Sequence, residues 1–480
     1  MVKNICMKRR DFLKTMPLLT AGMALSPTLL ASNATSGDVF NPETDKAGDL
    51  NDTFPMKSLG ADVNRTITVA VLGAGNRGNV YASYTKKFPY AMKVVAVVDI
   101  NPRRLETFGN EYNVPLAARF NSLEEFFSHP KMCDAVIVST PDNLHYEPTM
   151  KALESGYHVL LEKPMCQTEK ECRNILAMTQ KTGLIVAVCH VLRYAPYFIA
   201  MQRAIKSGMI GDIVSIQHFE PIQYAHMAHS YVRGNWHDSR QTTPIILAKS
   251  CHDLDMLRYL IDKPCQTIVA DGSLYFFKAE NAPQGAPERC TDGCPHEKEC
   301  PYSAIDIYLH KRRHVRALSN DFSRRITNDE IMSALKSGPY GRCVFRCDND
   351  QPDHYVSNMV FADGVTASFS MEAFAPSGGR RTRVMGTHGY IDGDGAQFTL
   401  TRFRSMKKHV WNKKVSEIPE YKDSGHGGGD HGVLRDFLEA VCWNDLGRLT
   451  STVDVSVESH IMGFCAEKSR KNGKKVKVNL

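Results

Sequence analysis

Short apolar segments alternate with longer segments of helical spacing between residues 66 and 190. Five of the apolar segments have the length of β-strands and are apolar at nearly every position: residues 66–72, 93–98, 134–139, 157–161 and 184–188. Strands buried on both faces have this composition, and their alternation with helices is typical of a parallel sheet covered on both sides. We therefore predict an α/β domain of the doubly wound Rossmann type over residues 66–190.

The pattern changes after residue 190. Helices are predicted at residues 196–207, 242–261, 433–441 and 453–465, and strands at 213–224, 266–277, 355–361, 365–371, 380–385 and 398–401. Thr242-Thr243-Pro244 supplies an N-cap and a proline at the first helical position. Asp363-Gly364 is typical of a two-residue hairpin. Residues 191–480 are thus predicted to form an α+β domain with a mostly antiparallel sheet.

Residues 1–34 have the composition of an export signal. Lys8-Arg9-Arg10-Asp11-Phe12-Leu13-Lys14 is a twin-arginine pattern, and a mildly apolar stretch leads to the small residues Ala31-Ser32-Asn33-Ala34. The apolar part is short and contains Pro17 and Pro27, so no stable membrane insertion is expected. We predict a cleaved signal peptide, a periplasmic enzyme and a polar arm over residues 35–65; a cytoplasmic protein with a basic start is the alternative.

The bulk composition indicates a two-domain globular protein and no affinity for nucleic acid. The chain has 480 residues, 42% of them hydrophobic and 23% charged, and a formal net charge of +7. Apart from the N-terminal leader, its one basic block is at residues 468–475, where a solvated tail is the simplest interpretation.

A dinucleotide fingerprint joins the first two predicted strands. Gly73-Ala74-Gly75-Asn76-Arg77-Gly78 follows the first strand directly, and Asp99 ends the second. In such turns the glycines permit a tight bend, close approach of a pyrophosphate and close helix packing, and the acid accepts hydrogen bonds from the ribose. The pattern predicts NAD as cofactor. Arg103 and Arg104 could meet a 2′-phosphate, so NADP stays open.

Two further segments follow predicted strands at the carboxyl edge of the sheet, where ligands bind in such folds. They are Thr140-Pro141-Asp142-Asn143-Leu144-His145 and Glu162-Lys163-Pro164. A lysine at a buried strand end is a site candidate, with a rim lysine as the plain alternative. In the second domain, His252 lies one helical turn after Lys249, among polar neighbours that a core histidine does not need.

The chain has 14 cysteines, most of them isolated and interpreted as small buried apolar residues. The exception is an insertion at about residues 279–350, which contains Cys290, Cys294, His296, Cys300, Cys343 and Cys347. Cys290, Cys294 and Cys300 could hold a structural zinc ion with a fourth ligand from the same segment. A disulfide-stapled loop and free thiols are the alternatives.

These motifs together resemble the family of glucose–fructose oxidoreductase, inositol dehydrogenase and MocA over about residues 66–468. The resemblance is carried by GAGNRG at 73–78, Asp99, STPDNLH at 139–145, EKP at 162–164, HVLRYAP at 190–196 and SCHDLD at 250–255. It implies a nicotinamide-dependent oxidoreductase acting on a sugar or cyclitol hydroxyl. Lys163 would stand beside the nicotinamide before a cis Pro164, His252 would be the acid/base, and the second sheet would form a homodimer or homotetramer.

The chemistry of alcohol oxidation agrees with these roles, because a base must take the hydroxyl proton and a cation can stabilise the oxygen. The residues expected to bind the cofactor are Gly73, Gly75, Asn76, Arg77, Gly78, Asp99, Thr140, Pro141, Asn143, His145, Glu162, Lys163 and Arg193. Those expected to contact a small carbohydrate substrate are Tyr194, Trp236, His237 and Lys249.

One position departs from the family pattern. Many members carry an aspartate four residues before the catalytic histidine, where this chain has Ala248. The leading hypothesis is a periplasmic oxidoreductase that keeps NAD bound and recycles it with a second carbonyl substrate. The alternatives are a redox-assisted glycosidase resembling glycoside hydrolase family 109, and a non-catalytic dinucleotide or sugar sensor.

Overall fold

The computed structural model describes residues 48–319, 321, 324–413, 419–422 and 424–480. The predicted signal peptide and the first part of the predicted arm lie outside these residues. No helix in the described ranges is long and apolar enough to cross a membrane.

The first domain is a parallel sheet of six strands in the order β3-β2-β1-β4-β5-β6. The strands are β1 Ile67–Leu72, β2 Met92–Val98, β3 Arg119–Phe120, β4 Ala135–Val138, β5 His158–Leu161 and β6 Val186–Val188. α1 Leu50–Thr53 belongs to the preceding arm, and the helices of the domain are α2 Asn76–Ala82, α3 Tyr84–Lys87, α4 Pro102–Glu111, α5 Leu123–Ser128, α6 Tyr146–Glu154 and α7 Glu169–Thr182. This strand order is that of the Rossmann fold, so the predicted class of the first domain is confirmed.

The second domain contains a nine-stranded sheet in the order β14-β13-β12-β11-β7-β10-β9-β8-β15. Its strands are β7 Ile213–Gln223, β8 Cys265–Ser273, β9 His354–Phe361, β10 Thr366–Ala375, β11 Arg381–Gly386, β12 Gly389–Gly393, β13 Gln397–Arg402, β14 Lys408–Asn412 and β15 Val476–Lys477. Every pairing is antiparallel except that of β7 with β10. The predicted mostly antiparallel sheet is confirmed.

The helices of the second domain differ in what they contact: some pack on this sheet, some on the first domain and one within the insertion. They are α8 Pro196–Lys206, α9 Tyr224–Met227, α10 Ile245–Ala248, α11 Cys251–Ile261, α12 Asn328–Ser337, α13 Pro419–Lys422, α14 Gly429–Trp443 and α15 Val453–Asn472. Val433 and Phe437 of α14 share a hydrophobic core with Val69 and Val71 of β1. A helix from late in the chain therefore packs on the nucleotide-binding sheet and carries its first residues to the glycine turn.

The hairpin between β9 and β10 forms where Asp363-Gly364 predicted it. Both residues have positive φ, 59° and 77°, as a tight two-residue turn of this hand requires. The predicted arm is packed rather than loose over its described part, because Leu50 and Leu59 are buried in the core and Asp49 pairs with Val410 beside β14.

The predicted helix over residues 242–261 is wrong in its continuity. The structure has two helices, α10 and α11, separated at Lys249 and Ser250. A continuous helix would direct the carbonyl oxygen of Ala248 along its axis toward the amide of residue 252. Here Lys163 Nζ donates to that oxygen at 2.9 Å, and Lys249 turns aside to pair with Glu220. The break thus coincides with the candidate site.

Candidate functional site

The glycine turn after β1 has the shape that a dinucleotide requires. Gly73 has a φ of 98°, and a side chain there would lie 2.8 Å from the Ser139 carbonyl oxygen. A Cβ at Gly78 would lie 2.1 Å from the Gly73 oxygen, whereas one at Gly75 would meet nothing within 4 Å. Two glycines therefore serve packing, and the third leaves a space through which a pyrophosphate can approach the backbone.

This division of roles gives a paired prediction. Gly78→Ala is expected to cost about 1–3 kcal/mol of folding stability, because the added methyl group overlaps backbone. Gly75→Ala is expected to keep the melting temperature and to weaken NAD binding by about tenfold or more, because its methyl group enters the pyrophosphate's space. Thermal unfolding and calorimetric titration with NAD measure the two effects. Normal NAD affinity in Gly75→Ala would contradict the assignment.

Asp99 is held at the end of β2 by two backbone amides. Its Oδ2 accepts a hydrogen bond from Ala74 N and its Oδ1 one from Asn101 N, both at 2.8 Å. The carboxylate is only 8% exposed. Each oxygen keeps a lone pair, so the fixed carboxylate can accept bonds from ribose hydroxyls.

The segment after β4 is anchored to the lysine loop. His145 is buried, and its Nδ1 and Nε2 lie 2.7 Å and 2.8 Å from the carbonyl oxygens of Pro164 and Thr140. Asp142 accepts a hydrogen bond from Thr243 of the second domain at 2.9 Å. Thr140, Pro141 and Asn143 lie partly or fully exposed at this edge. His145 therefore positions the loop, while the three exposed residues are placed to meet a ligand.

Glu162 and Arg77 form a buried ion-pair chain behind the glycine turn. Arg77 Nε lies 2.5 Å from Glu162 Oε1, and Arg77 Nη2 lies 2.8 Å from Asp430 Oδ1 at the start of α14. Burial alone would raise the pKa of Glu162, but the charges of Arg77 and Lys163 outweigh it and lower the pKa. The second oxygen of Glu162 accepts the backbone amide of Lys163 at 2.8 Å. The chain thus joins α2, β5 and α14.

Lys163 precedes a cis peptide bond to Pro164, as the family resemblance implied. Its side chain crosses from the first domain to the second, where Nζ donates to the Ala248 oxygen. The positive charge of Lys163 acts together with burial to lower the pKa values of His190, His226, His252 and His460. The backbone oxygen of Ala248 therefore provides a hydrogen-bond acceptor at the position where many family members have an aspartate.

His252 lies in the first turn of α11, close to this lysine. Burial is the largest cause that lowers its pKa, followed by the charges of Lys163 and Arg380. Within the described ranges its Nδ1 has no hydrogen-bond partner. Its ring centroid lies 6.2 Å from that of His190 and 6.0 Å from that of His426. His252 is consequently a neutral imidazole, the form that accepts a proton.

A network of charges lies beside His252 on the second domain. Lys249 Nζ lies 2.9 Å from Glu220 Oε1, Arg380 joins Glu220 to Asp253, and His218 contacts Asp253 at 2.9 Å. Burial raises the pKa of Glu220 to about 7, against the opposing charges of Arg380 and Lys249. The side chains of Arg380 and Lys249 keep 14% and 17% of their surface exposed.

Several of these residues were missed from the sequence: Glu220, His226, Asp253, Arg380, His426 and Asp430. A signal existed for some of them. Glu220 stands at an inward position of β7 where the alternation predicts an apolar side chain. His426 and Asp430 lie in the glycine-rich run Gly425–Gly432, and His426 Nδ1 lies 3.0 Å from Asp430 Oδ1. Such a run leading into a helix could have marked a ligand-facing turn.

Some predicted site residues are committed to other contacts. Arg193 donates to both oxygens of Asp255 at 2.7 Å and to Thr450 O, and Tyr194 is buried against Ser451. His237 bonds to the Gly234 oxygen at 2.7 Å, and Trp236 packs near Tyr231. The structure brings Lys163 to Ala248, the residue before Lys249 and four positions before His252. It buries Arg193 and Tyr194 in packing contacts.

An unfolding experiment distinguishes a structural role of Arg193 from a role in cofactor binding. Arg193→Ala is expected to cost about 3–5 kcal/mol of unfolding free energy, because Asp255 would stay buried without its cation. Urea unfolding measures this cost, with Arg173→Ala, which removes a surface pair on α7, as a control of small effect. Loss of NAD affinity at unchanged stability would instead support the cofactor role that the resemblance implied.

The cysteines of the insertion pack around Arg233. Cys290, Cys294, Cys300 and Cys343 line a small cavity with it, and Arg233 Nη2 lies 3.6 Å from Cys290 Sγ. All 13 described cysteines are free thiols. Among the described residues no group of three or more His, Cys, Asp or Glu side chains is arranged to hold a metal ion. The zinc interpretation is therefore not supported.

Comparisons with known proteins agree with this architecture. Residues 67–190 match the family model of the Gfo/Idh/MocA oxidoreductase family with an NAD-binding Rossmann fold, and residues 202–478 match its C-terminal alpha/beta domain. The chain belongs to this oxidoreductase family. It is an NAD-binding protein of the class, and its two sheets are those of the family's two domains.

Individual relatives are distant. The chain is 24% identical to the Bacillus subtilis (strain 168) protein YteT, described as an oxidoreductase, over 74% of this chain and 83% of that protein. It is 29% identical to 1,5-anhydro-D-fructose reductase of Ensifer adhaerens, over 38% of this chain and 53% of that enzyme. The structure of scyllo-inositol dehydrogenase from Lactobacillus casei with NAD(H) and scyllo-inositol superposes with a TM-score of 0.59 at 16% identity, over 86% and 99% of the two chains.

Proposed function

We propose that the protein oxidises, and in reverse reduces, a hydroxyl-bearing carbon of a sugar, glycoside or cyclitol. The observation that carries the proposal is the meeting of Lys163 and His252 beside the glycine turn. Lys163 comes from the carboxyl end of β5, where ligands bind in Rossmann folds, and its Nζ bonds to the residue four positions before His252. The names of the inositol dehydrogenase and the anhydrofructose reductase support this substrate class.

The residues present fit a nicotinamide dinucleotide. Gly75 leaves an open approach, Asp99 offers a fixed carboxylate, and Thr140 and Asn143 lie at the same edge. When bound there, the nicotinamide accepts or supplies the hydride. His252, being neutral, takes the hydroxyl proton in the oxidation direction. Lys163 exchanges its bond to Ala248 for one to the substrate oxygen and stabilises the charge that develops on it.

The cofactor is proposed to stay bound and to be recycled by a second carbonyl substrate. The twin-arginine pattern at residues 8–14 supports export to the periplasm, where no free NAD pool exists. The redox-assisted glycosidase is not favoured, since the relatives named for a reaction on sugars or cyclitols include dehydrogenases and a reductase.

The proposed assembly is a homodimer or homotetramer through the second sheet. The face of this sheet turned away from the helices carries a mixed polar surface, with a shallow hollow of about 830 Å³ lined by residues that include Gln217, Ser368, Arg383 and Tyr390. Size-exclusion chromatography with light scattering measures the mass of the assembly. A monomeric mass at all protein concentrations would contradict this arrangement.

The function itself is tested by mass spectrometry of the purified protein, followed by a screen of sugars and glycosides. The proposal expects bound NAD or NADH and a keto-sugar product. Release of the aglycone without a keto-sugar and without net change of the cofactor would favour the glycosidase. Unchanged biological activity in Lys163→Ala would favour a sensor.

A further inference from the structure

The Cys-bearing insertion reaches across to the cofactor side of the first domain. Arg103 is the second residue of α4, and Arg103 Nη2 lies 2.8 Å from Asp321 Oδ2 in the insertion. At the other end of α4, burial raises the pKa of Tyr112 and the charge of Arg316 opposes that rise. A cavity of about 270 Å³ lies between the two segments, with Arg103, Asp321 and Arg324 in its wall. The insertion therefore lies along α4.

Arg103 stands within one helical turn of the carboxylate expected to bind the ribose. Asp99 Oδ1 accepts from Asn101 N, and the Asn101 side chain caps α4 by accepting from Arg103 N at 3.1 Å. In dinucleotide-binding folds an acid at the position of Asp99 binds the ribose hydroxyls of NAD, while a nearby arginine accommodates the 2′-phosphate of NADP. This chain carries both kinds of group, so the contacts of Arg103 bear on the choice between NAD and NADP.

Asp321 supplies an internal counter-ion for that arginine. Its side chain is 8% exposed, whereas that of Arg103 is 60% exposed. Arg324 Nε also approaches the same Asp321 oxygen, at 3.4 Å. Ser319 Oγ accepts from the Asp321 amide at 3.0 Å, which fixes the turn that presents the carboxylate. A 2′-phosphate at Arg103 would have to displace Asp321 and would face two carboxylates, Asp99 and Asp321.

We propose that Asp321 is a coenzyme-selectivity residue, which holds Arg103 as an internal substitute for the 2′-phosphate and so selects NAD over NADP. The inference rests on the proposed use of a bound dinucleotide. It assigns to the insertion a part in coenzyme selection, in addition to that of Asp99. Charge-assisted pairs of this kind fix both energy and geometry, so releasing Arg103 from Asp321 is expected to shift the preference toward NADP.

The test compares the dinucleotide content of purified variants that have been freed of resident dinucleotide and then incubated with an equimolar mixture of NAD and NADP. The variants are Asp321→Ala, Asp321→Asn, Arg103→Ala, the double variant Asp321→Ala/Arg103→Ala and the control Asp329→Ala, an exposed acid of the same insertion. Each protein is desalted and denatured, and the released dinucleotides are quantified by mass spectrometry. Thermal unfolding shows which variants are folded. If Asp321→Ala does not fold, the isosteric Asp321→Asn variant is used in its place.

Wild type and Asp329→Ala are expected to carry NAD. Asp321→Ala and Asp321→Asn should raise the ratio of bound NADP to bound NAD by about tenfold or more. This is the effect of one charged hydrogen bond that the freed Arg103 can donate to the 2′-phosphate. Adding Arg103→Ala should abolish that gain. If wild type carries NAD and the Asp321 variants keep its ratio, the inference is overturned while the proposed function stands. If no protein carries either dinucleotide, the proposed function itself fails.

Discussion

Replacing Lys163 with alanine is expected to lower kcat/KM for oxidation of the sugar hydroxyl by about 10²–10³-fold, the usual effect of removing one group that stabilises charge on a reacting oxygen. The side chain projects from the loop before cis Pro164 and donates a hydrogen bond to the backbone oxygen of Ala248. Its loss removes a cation from the site and leaves one carbonyl to be solvated. The fold should therefore survive, which circular dichroism and thermal unfolding can verify.

Lys170→Ala is the matched control for this variant. Lys170 lies in the first turn of α7, seven residues further along the chain, and is exposed. Its replacement should leave the rate unchanged. Equal rates for Lys163→Ala and Lys170→Ala would show that Lys163 takes no part in the reaction.

The second large effect is expected at His252. His252→Ala should lower kcat/KM for oxidation by about 10²–10⁴-fold, the range for loss of a general base. The exposed His129 is the control. A rate within a factor of about two of wild type would assign the proton transfer elsewhere.

The pH dependence follows from the direction of the His252 pKa. Burial and the charges of Lys163 and Arg380 lower it below the ordinary value of 6.5. The base is therefore already neutral at pH 6.5, and oxidation should not slow as the pH falls through that value; it should slow only below the lowered pKa. Titration of Glu220, with a pKa of about 7, can add a separate step to the pH–rate profile. If the Glu220→Gln variant still loses rate as the pH falls through 6.5, the pKa of His252 is not lowered.

The parts of the fold that could be predicted are those set by local pattern. Five near-continuous apolar segments predicted the parallel sheet, and Asp363-Gly364 predicted the hairpin between β9 and β10 of the second sheet. The two-residue β3 could not be found this way, because it is too short to show any period. Two strands of five residues in the second sheet were also missed, β12 in its interior and β14 at its edge.

The break between α10 and α11 shows why the site was harder to predict than the fold. Apolar spacing alone indicates one helix over residues 242–261. The break coincides with contacts of distant residues, since Lys163 takes the Ala248 oxygen and Glu220 takes Lys249. Long-range ion pairs of this kind, like that of Arg77 with Asp430, leave no periodic signal in the sequence.

The family motifs drew attention to Lys163 and His252 and implied a cofactor contact for Arg193. In the structure Arg193 is the partner of Asp255, three positions after His252. Its motif is thus explained by the packing that supports α11. In the insertion, cysteine spacing suggested a zinc site as one of three alternatives, and the described residues do not support it. Asp321, in the same insertion, was not singled out from the sequence.

The most direct test of the account is a single turnover without added cofactor. Purified protein is mixed anaerobically with substrates found in the carbohydrate screen, and the absorbance of reduced nicotinamide is followed. The account predicts that the bound nicotinamide is reduced, stays with the protein through gel filtration, and is reoxidised when a carbonyl substrate is added. A purified protein that contains no dinucleotide, or whose bound nicotinamide never changes while substrate is consumed, would contradict it.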